Sequence, residues 1–145
     1  MSLCKNLYKC QIDDLRGFAE KHEPELFARA IHSFNEDKTE AEIARILTRA
    51  ESFCTFPADY DIYLQVGFGH IDGTALPAEK PFLYFGIERY ESLKRLSYLA
   101  AHEYNHMLRI SALGIANIFN MLLAEMVITE GLVVISSWLV SGNGS

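Results

Sequence analysis

Cysteine is scarce in this sequence, and none of it has the spacing of a metal-binding motif. The three cysteines, Cys4, Cys10 and Cys54, are an odd number. They are typical of free thiols in a reducing compartment, although one disulfide pair stays open as an alternative. No basic segment followed by an apolar stretch stands at the N-terminus, so no secretory signal is visible and we expect a cytoplasmic protein.

Positive charge is scarce as well, and internal repeats and low-complexity segments are absent. There are 13 Lys and Arg against 19 Asp and Glu, which gives a formal net charge of −6. This balance argues against nucleic acid or an anionic membrane surface as a partner. With 145 residues, 50% of them hydrophobic, the chain is long enough for one domain with a hydrophobic core.

Residues 101–107 read Ala-His-Glu-Tyr-Asn-His-Met and contain the pattern H-E-x-x-H. On a helix, His102 and His106 are one turn apart on one face, so two imidazole nitrogens can hold one Zn²⁺. Glu103 lies about 100° further round the helix. It can reach a metal-bound water there, as the general base of a metallohydrolase does. The alternative is a chance match on a merely polar helix face.

The surroundings of the motif favour a long, buried helix. Ser92 is a plausible N-cap, Gly114 is a plausible stop, and no proline interrupts the run between them. A buried helix with two His and a Glu leaves polar groups that need partners, and a metal supplies them. The apolar residues with helical spacing ahead of the motif are Leu93, Leu96, Leu99 and Ala100.

Three further helices are predicted ahead of the motif. The first covers Leu15 to His22, and the second begins near Pro24. Residues 35–38 read as a polar turn, after which Thr39 and Glu42 form a capping-box pattern for the third helix. The buried face of that helix is predicted to contain Ile43, Ile46, Leu47 and Ala50.

Two strands are predicted between these helices and the motif. Residues 62–68 alternate between apolar and other side chains, and residues 82–87 are apolar on both faces. Residues 69–80 read as a loop with an Asp72-Gly73 turn, so we expect an antiparallel, long-looped hairpin. The predicted fold class is therefore α+β, with N-terminal helices, a small antiparallel sheet, the H-E-x-x-H helix and a further helix.

The last helix is predicted from the apolar stretch between Met121 and Val140, which is about long enough to cross a bilayer. Glu125 and Glu130 lie inside it, and acids are costly in lipid. The motif helix is also too charged for a membrane span. We therefore expect a buried helix of a soluble domain.

The same stretch offers the third protein ligand that a catalytic zinc needs. Glu125 and Glu130 are about 140° apart on a helix, so they cannot both face one ion. Glu130 stands in the more apolar surroundings, where an unpaired acid is expensive, and is the favoured ligand. Glu125 remains the alternative, or a supporting or solvated acid. Two His and a Glu form the ligand set of thermolysin-like metalloproteases.

Residues 102–106, followed by Glu130-Gly131-Leu132, resemble the gluzincin pattern. More narrowly, residues 62–135 resemble a bacterial family of predicted Zn-dependent proteases of the YjaZ type. With the chain length, the resemblance leads us to expect a single zincin-like metallopeptidase domain over residues 1–145; whether it is a full domain or a minimal or truncated one stays open. The resemblance also implies that His102, His106 and Glu130 bind zinc and that Glu103 is the catalytic base.

Two positions depart from the pattern. Val133 stands where a small residue is expected. Val134 stands where thermolysin-like enzymes often place an acid that supports a histidine ligand, so that support must come from elsewhere.

We expect a zinc-dependent peptide-bond hydrolase whose substrate is a peptide or protein. Water activated by Zn²⁺ attacks the carbonyl, and Glu103 takes a proton and passes it to the leaving amine. Arg109 could bind a substrate carboxylate or pair with Glu125, and a strand edge could align an extended peptide. Candidates for stabilising the oxyanion or binding substrate are His70, Tyr84, Tyr90 and Arg109.

Two other classes of function stay open. The same ligands could hold a structural zinc ion in a non-catalytic domain, in which case the fourth coordination position is closed to water. Alternatively, the chain is a partner-binding regulatory domain with a degenerate motif and no metal.

Overall fold

A computed structural model describes residues 16–17, 20–21, 24–67, 69, 71–88, 92–114 and 121–142. Within these residues the chain forms four helices and three strands, which confirms the α+β class. Half of the helix predicted over residues 15–22 lies outside the described residues; residues 16–17 and 20–21, which are described, are helical. The order is α1 (Pro24–Ser33), α2 (Glu36–Phe53), β1 (Asp61–Gln65), β2 (Gly73–Leu76), β3 (Phe82–Gly86), α3 (Leu93–Leu113) and α4 (Leu123–Ser141).

Helix α2 begins four residues earlier than the sequence predicted, because its N-cap is Asn35 rather than Thr39. The Asn35 side chain caps it by accepting a hydrogen bond from the Lys38 amide at 2.9 Å. Thr39 is buried inside the helix, so its predicted role as the cap is wrong. Asn is as good an N-cap as Thr, and two acids in the first turn favour the earlier start. The predicted buried face, residues 43–50, is confirmed.

The described sheet is mixed, so the predicted antiparallel hairpin is wrong. Its strand order is β1-β3-β2, with β1 parallel to β3 and β2 antiparallel to β3. The predicted loop of residues 69–80 contains β2. All five residues of β3 are buried because this strand is central in the sheet. A strand that is apolar on both faces fits that central place.

The two faces of the sheet pack differently. Ala75, Leu83 and Phe85 belong to the main core together with residues of α2 and α3. Phe82 and Tyr84 alternate with them and form a separate cluster with Tyr63, Ile71 and Leu76 on the opposite face.

Both predicted ends of α3 are confirmed. Ser92 is its N-cap and accepts a hydrogen bond from the Arg95 amide at 3.3 Å. Gly114 ends the helix in the left-handed conformation, with φ of 63°, which glycine adopts without strain. The H-E-x-x-H residues therefore lie in the middle of a regular helix of 21 residues.

Helix α4 is mostly exposed, so the prediction of a buried helix is wrong. By length and composition it could cross a membrane, yet only 22% of its apolar window is buried in the protein. Its buried residues, at positions 129, 133, 137 and 140, form one stripe. We call the rest of its apolar surface the exposed apolar face of α4; its members are Leu123, Met126, Val127, Ile128, Leu132, Val134, Ile135, Trp138 and Leu139.

Candidate metal centre

Helices α3 and α4 bring two histidines and one glutamate together. The Nε2 atoms of His102 and His106 are 3.1 Å apart. Glu130 places one carboxylate oxygen 3.7 Å from Nε2 of His102 and the other 3.5 Å from Nε2 of His106. One ligand atom from each residue lies within 4.8 Å of the others. The structure thus brings together the three residues that the sequence proposed as ligands.

The spacing of these atoms fits a zinc ion. Zinc bonds of about 2.0–2.2 Å in a tetrahedron place neighbouring ligand atoms roughly 3.3–3.6 Å apart, close to the distances found here. Burial lowers the pKa of His102, against the charge of Glu130. Burial and the neighbouring His102 also lower the pKa of His106. Both rings are therefore neutral at pH 7, which is the form that binds metal.

A contact next to the ligand holds the two helices in register. Arg109 Nε donates a hydrogen bond to Thr129 Oγ1 at 2.8 Å, one residue before Glu130. Thr129 is buried, whereas the Glu130 side chain is 52% exposed. The argument that Glu130 is a costly buried acid is therefore wrong. Its place beside the histidines comes from the packing of α4 on α3.

Glu125 has a different role from Glu130. Its Oε2 atom accepts a hydrogen bond from the Leu122 amide at 2.9 Å and so caps the start of α4. It is not a member of the ligand cluster found among the described residues. The structure accordingly favours Glu130 over Glu125 as the third ligand.

Glu103 is buried, with 6% of its surface exposed, and lies against β2. A Cβ atom added at Gly73 would come within 3.1 Å of Glu103 Cγ. Burial raises the pKa of Glu103 to about 8; a hydrogen bond from the Ala75 backbone opposes this, and the charges of Glu130 and Asp72 add to it. Without a metal, a carboxyl group with this proton affinity holds its proton at pH 7. A cation bound nearby would favour the carboxylate form that a general base needs.

The four candidates for oxyanion stabilisation or substrate binding have different outcomes. His70 and Tyr90 lie outside the described residues. Tyr84 is fully buried on the sheet face opposite α3, and its hydroxyl donates to the Val66 carbonyl at 3.1 Å. Tyr84 is therefore not available as an oxyanion donor. Arg109 lies on α3, one turn beyond His106, and its described partner is Thr129 rather than Glu125.

Support for His102 is incomplete within the described residues. Its Nδ1 atom is buried and has no hydrogen-bond partner among them. A zinc-bound histidine usually donates from its other nitrogen to an acceptor that fixes the ring. The valine at position 134 cannot act as that acceptor, in agreement with the departure noted in the sequence.

Sequence reasoning missed the part that β2 plays at this site. Gly73 and Ala75 both contact Glu103, although residues 69–80 read as a loop. The only sequence signal was Gly73, whose missing side chain leaves room for the glutamate.

Two histidines on one helix and a glutamate on the next define a candidate mononuclear zinc centre of the metallohydrolase type. The chain belongs to a family described as "Predicted Zn-dependent protease (DUF2268)", which it matches over residues 19–143. This match confirms the resemblance to predicted Zn-dependent proteases. No curated protein and no solved structure matches the chain.

Proposed function

We propose that this chain is a zinc-dependent peptide-bond hydrolase with a zincin-like arrangement. His102, His106 and Glu130 are the zinc ligands, and Glu103 is the general base. One observation carries the proposal: three ligand atoms converge, while Glu103 stays outside that group and is buried against a strand. Structural zinc sites are closed by four protein ligands, whereas catalytic sites use three. The described residues supply three.

The chemistry divides between the metal and this chain's own residues. When bound, zinc acidifies water and polarises a carbonyl. Glu103 accepts the proton of the attacking water and delivers it to the leaving amine. The hydrogen bond from Ala75 holds the Glu103 carboxylate in one orientation.

The free edge of β2 offers a place for the substrate backbone. The Asp72 carbonyl accepts a hydrogen bond from the Gly86 amide at 2.9 Å. Because hydrogen-bonded pairs alternate in an antiparallel ladder, Gly73 and Ala75 direct their backbone groups away from β3. The Ala75 amide already donates to Glu103. An extended peptide can pair by strand addition with the Gly73 backbone groups and the Ala75 carbonyl, next to Glu103.

The rest of the proposal concerns the setting of the site. We place it in one domain, in the cytoplasm, with a peptide or protein as substrate and no nucleic acid or membrane as partner. The acidic net charge argues against nucleic acid or an anionic membrane surface as a partner. The family's description as a protease supports a peptide or protein substrate. The exposed apolar face of α4 favours the alternative of a partner-binding domain, since such surfaces mark interaction sites.

Metal content and turnover test the proposal together. We expect about one zinc per chain by elemental analysis in the wild type and much less in His106→Ala, because a ligand is lost. Glu103→Gln should keep its zinc and lose peptidase activity by about a hundredfold or more, because the general base is removed.

Two results would contradict the hydrolase. One is a protein without zinc even after zinc is supplied. The other is a Glu103→Gln variant that cleaves peptides as fast as the wild type. A zinc-loaded wild type that cleaves nothing would instead favour the structural or partner-binding alternative.

A further inference from the structure

An apolar pocket of about 240 Å³ lies between α3 and the segment from Ala75 to Pro81, which covers the end of β2 and the loop after it. Its walls include Ala75, Leu76 and Ala78 on one side and Met107 and Ile110 on the other. No charged side chain lines it among the described residues. It is therefore suited to an uncharged, apolar group, since burying a charge there is costly.

The pocket adjoins the proposed general base rather than the ligands. Glu103, Met107 and Ile110 are spaced four and three residues apart and so share one face of α3. Ala75 both lines the pocket and hydrogen-bonds Glu103 through its backbone. The pocket thus continues from Glu103 towards the C-terminal ends of β2 and α3.

We propose that this pocket binds one large apolar side chain, such as leucine or phenylalanine, from the N-terminal side of the scissile bond. The proposal rests on the hydrolase function proposed above. A cavity of about 150 Å³ already admits benzene, so this one has room for such a side chain.

The orientation follows from β2. Glu103 lies beside Gly73 and Ala75, and the pocket lies further along the strand, at Leu76 and Ala78. Antiparallel pairing is the more stable arrangement per residue. A peptide antiparallel to β2 has its N-terminal residues over the later end of that strand. Those residues then lie over the pocket.

Peptide binding to the inactive, zinc-loaded Glu103→Gln protein tests the pocket without turnover. The probes are blocked pentaglycines with leucine, phenylalanine, lysine or glycine at the central position. The readout is the methyl carbon signal of Met107, assigned with a Met107→Leu variant. We expect the leucine and phenylalanine peptides to bind about ten- to a hundredfold more tightly than the glycine peptide, and to shift this signal. The lysine peptide should bind no more tightly than the glycine peptide.

Filling the pocket should remove that preference. Ala78→Phe and Ile110→Phe each add a ring at the wall, and we expect each to abolish the gain of the leucine and phenylalanine peptides over the glycine peptide. Ala44→Phe, at an exposed position of α2, is the matched control and should keep the gain. Circular dichroism verifies that the variants fold. A preference that survives in both filled variants overturns the proposal.

Mapping cleavage sites of the wild type separates this proposal from the hydrolase itself. We expect leucine and phenylalanine on the amino side of the cleaved bonds. Cleavage without that preference, or with it on the carboxyl side, overturns the pocket assignment and leaves the hydrolase standing. Apolar binding without any cleavage supports the pocket as a binding site and overturns the hydrolase.

Discussion

Tyr104 occupies an unspecified position of the H-E-x-x-H stretch, yet it is one of the most tightly held side chains in the protein. It is 1% exposed. Its hydroxyl donates to the Cys54 carbonyl and accepts from the Phe56 amide, both at 2.9 Å. These two bonds join α3, the helix of the H-E-x-x-H motif, to the segment that follows α2. Phe56 also borders the apolar pocket, so the bonds stabilise one of its walls.

Tyr104→Phe should therefore destabilise the fold by about 1–3 kcal/mol, because it leaves the buried Phe56 amide without an acceptor. Urea denaturation measures the change. Tyr63→Phe removes a hydroxyl from a half-buried ring and should cost less than about 0.5 kcal/mol. If both variants lost the same free energy of unfolding, the hydrogen bonds of Tyr104 would not stabilise the fold more than the hydroxyl of Tyr63 does.

At the residue scale, the sequence predicts those contacts that depend only on the spacing of residues along one helix. His102 and His106 meet because they are one turn apart on a regular helix. Tyr84 could not be assigned in the same way. The sheet face that a strand residue occupies depends on which helix covers that face, and the local sequence does not contain this information. Glu130 meets the histidines although the reason given for it, burial, does not hold.

At the scale of elements, Glu42 connects α2 to α3. Its carboxylate accepts two hydrogen bonds from Arg45, at 2.8 and 2.7 Å, and one from the Ser97 hydroxyl of α3. Ser97 is buried, and the Glu42 side chain is 18% exposed. The hydrogen bond from Arg45, together with that from Ser97, lowers the pKa of Glu42 against the opposing effect of burial.

Glu42→Gln should destabilise the protein by about 1–2 kcal/mol at pH 7, since charge-assisted hydrogen bonds are lost. A lowered pKa means that this stability is present above the ordinary pKa of a glutamate, about 4.3, and is lost as the pH falls through the lowered value. Urea denaturation of both proteins between pH 7 and pH 3 measures it. The difference between them should shrink in acid. Glu40→Gln, at an exposed position of the same helix, is the control.

Both ends of α3 were predictable from the sequence, whereas the start of α2 and the strand partners were not. Ser92 and Gly114 mark the two ends of α3, and they could be recognised because capping is a local interaction. The alternation of residues 62–68 locates β1 but says nothing about whether its neighbour is parallel. The short sequence Gly-Thr-Ala-Leu of β2 carries little strand propensity, so its pairing depends on tertiary contacts. This is why the antiparallel hairpin was the wrong topology.

At the scale of the whole molecule, a metal ion at this site would join two helices. Helix α4 would contribute one ligand and α3 two. Most of the apolar surface of α4 is not covered by other described residues. Zinc at a hundred times its dissociation constant should therefore raise the free energy of unfolding by about 2.7 kcal/mol.

Two glutamates of α4 provide a matched pair for this test. Glu130→Gln should abolish the rise in melting temperature that zinc produces, because a ligand is lost. Glu125→Gln should lower the melting temperature only slightly, and equally with and without zinc, because glutamine can still accept the hydrogen bond from the Leu122 amide and only the negative charge at the start of α4 is lost. Thermal unfolding with zinc and with a chelator measures both. The reverse pattern would make Glu125 the ligand.

The strand order β1-β3-β2 also bears on how the sheet assembles. Strands β2 and β3 are separated only by residues 77–81. Strand β1 pairs with β3, and the whole of β2 lies between these two strands in the chain. Closing a short loop costs less entropy than closing a long one. We therefore expect the β2–β3 hairpin to form early and β1 to dock late. Strand β2, whose edge is proposed to align the substrate, then belongs to the part of the sheet whose contacts are closest in sequence and form first.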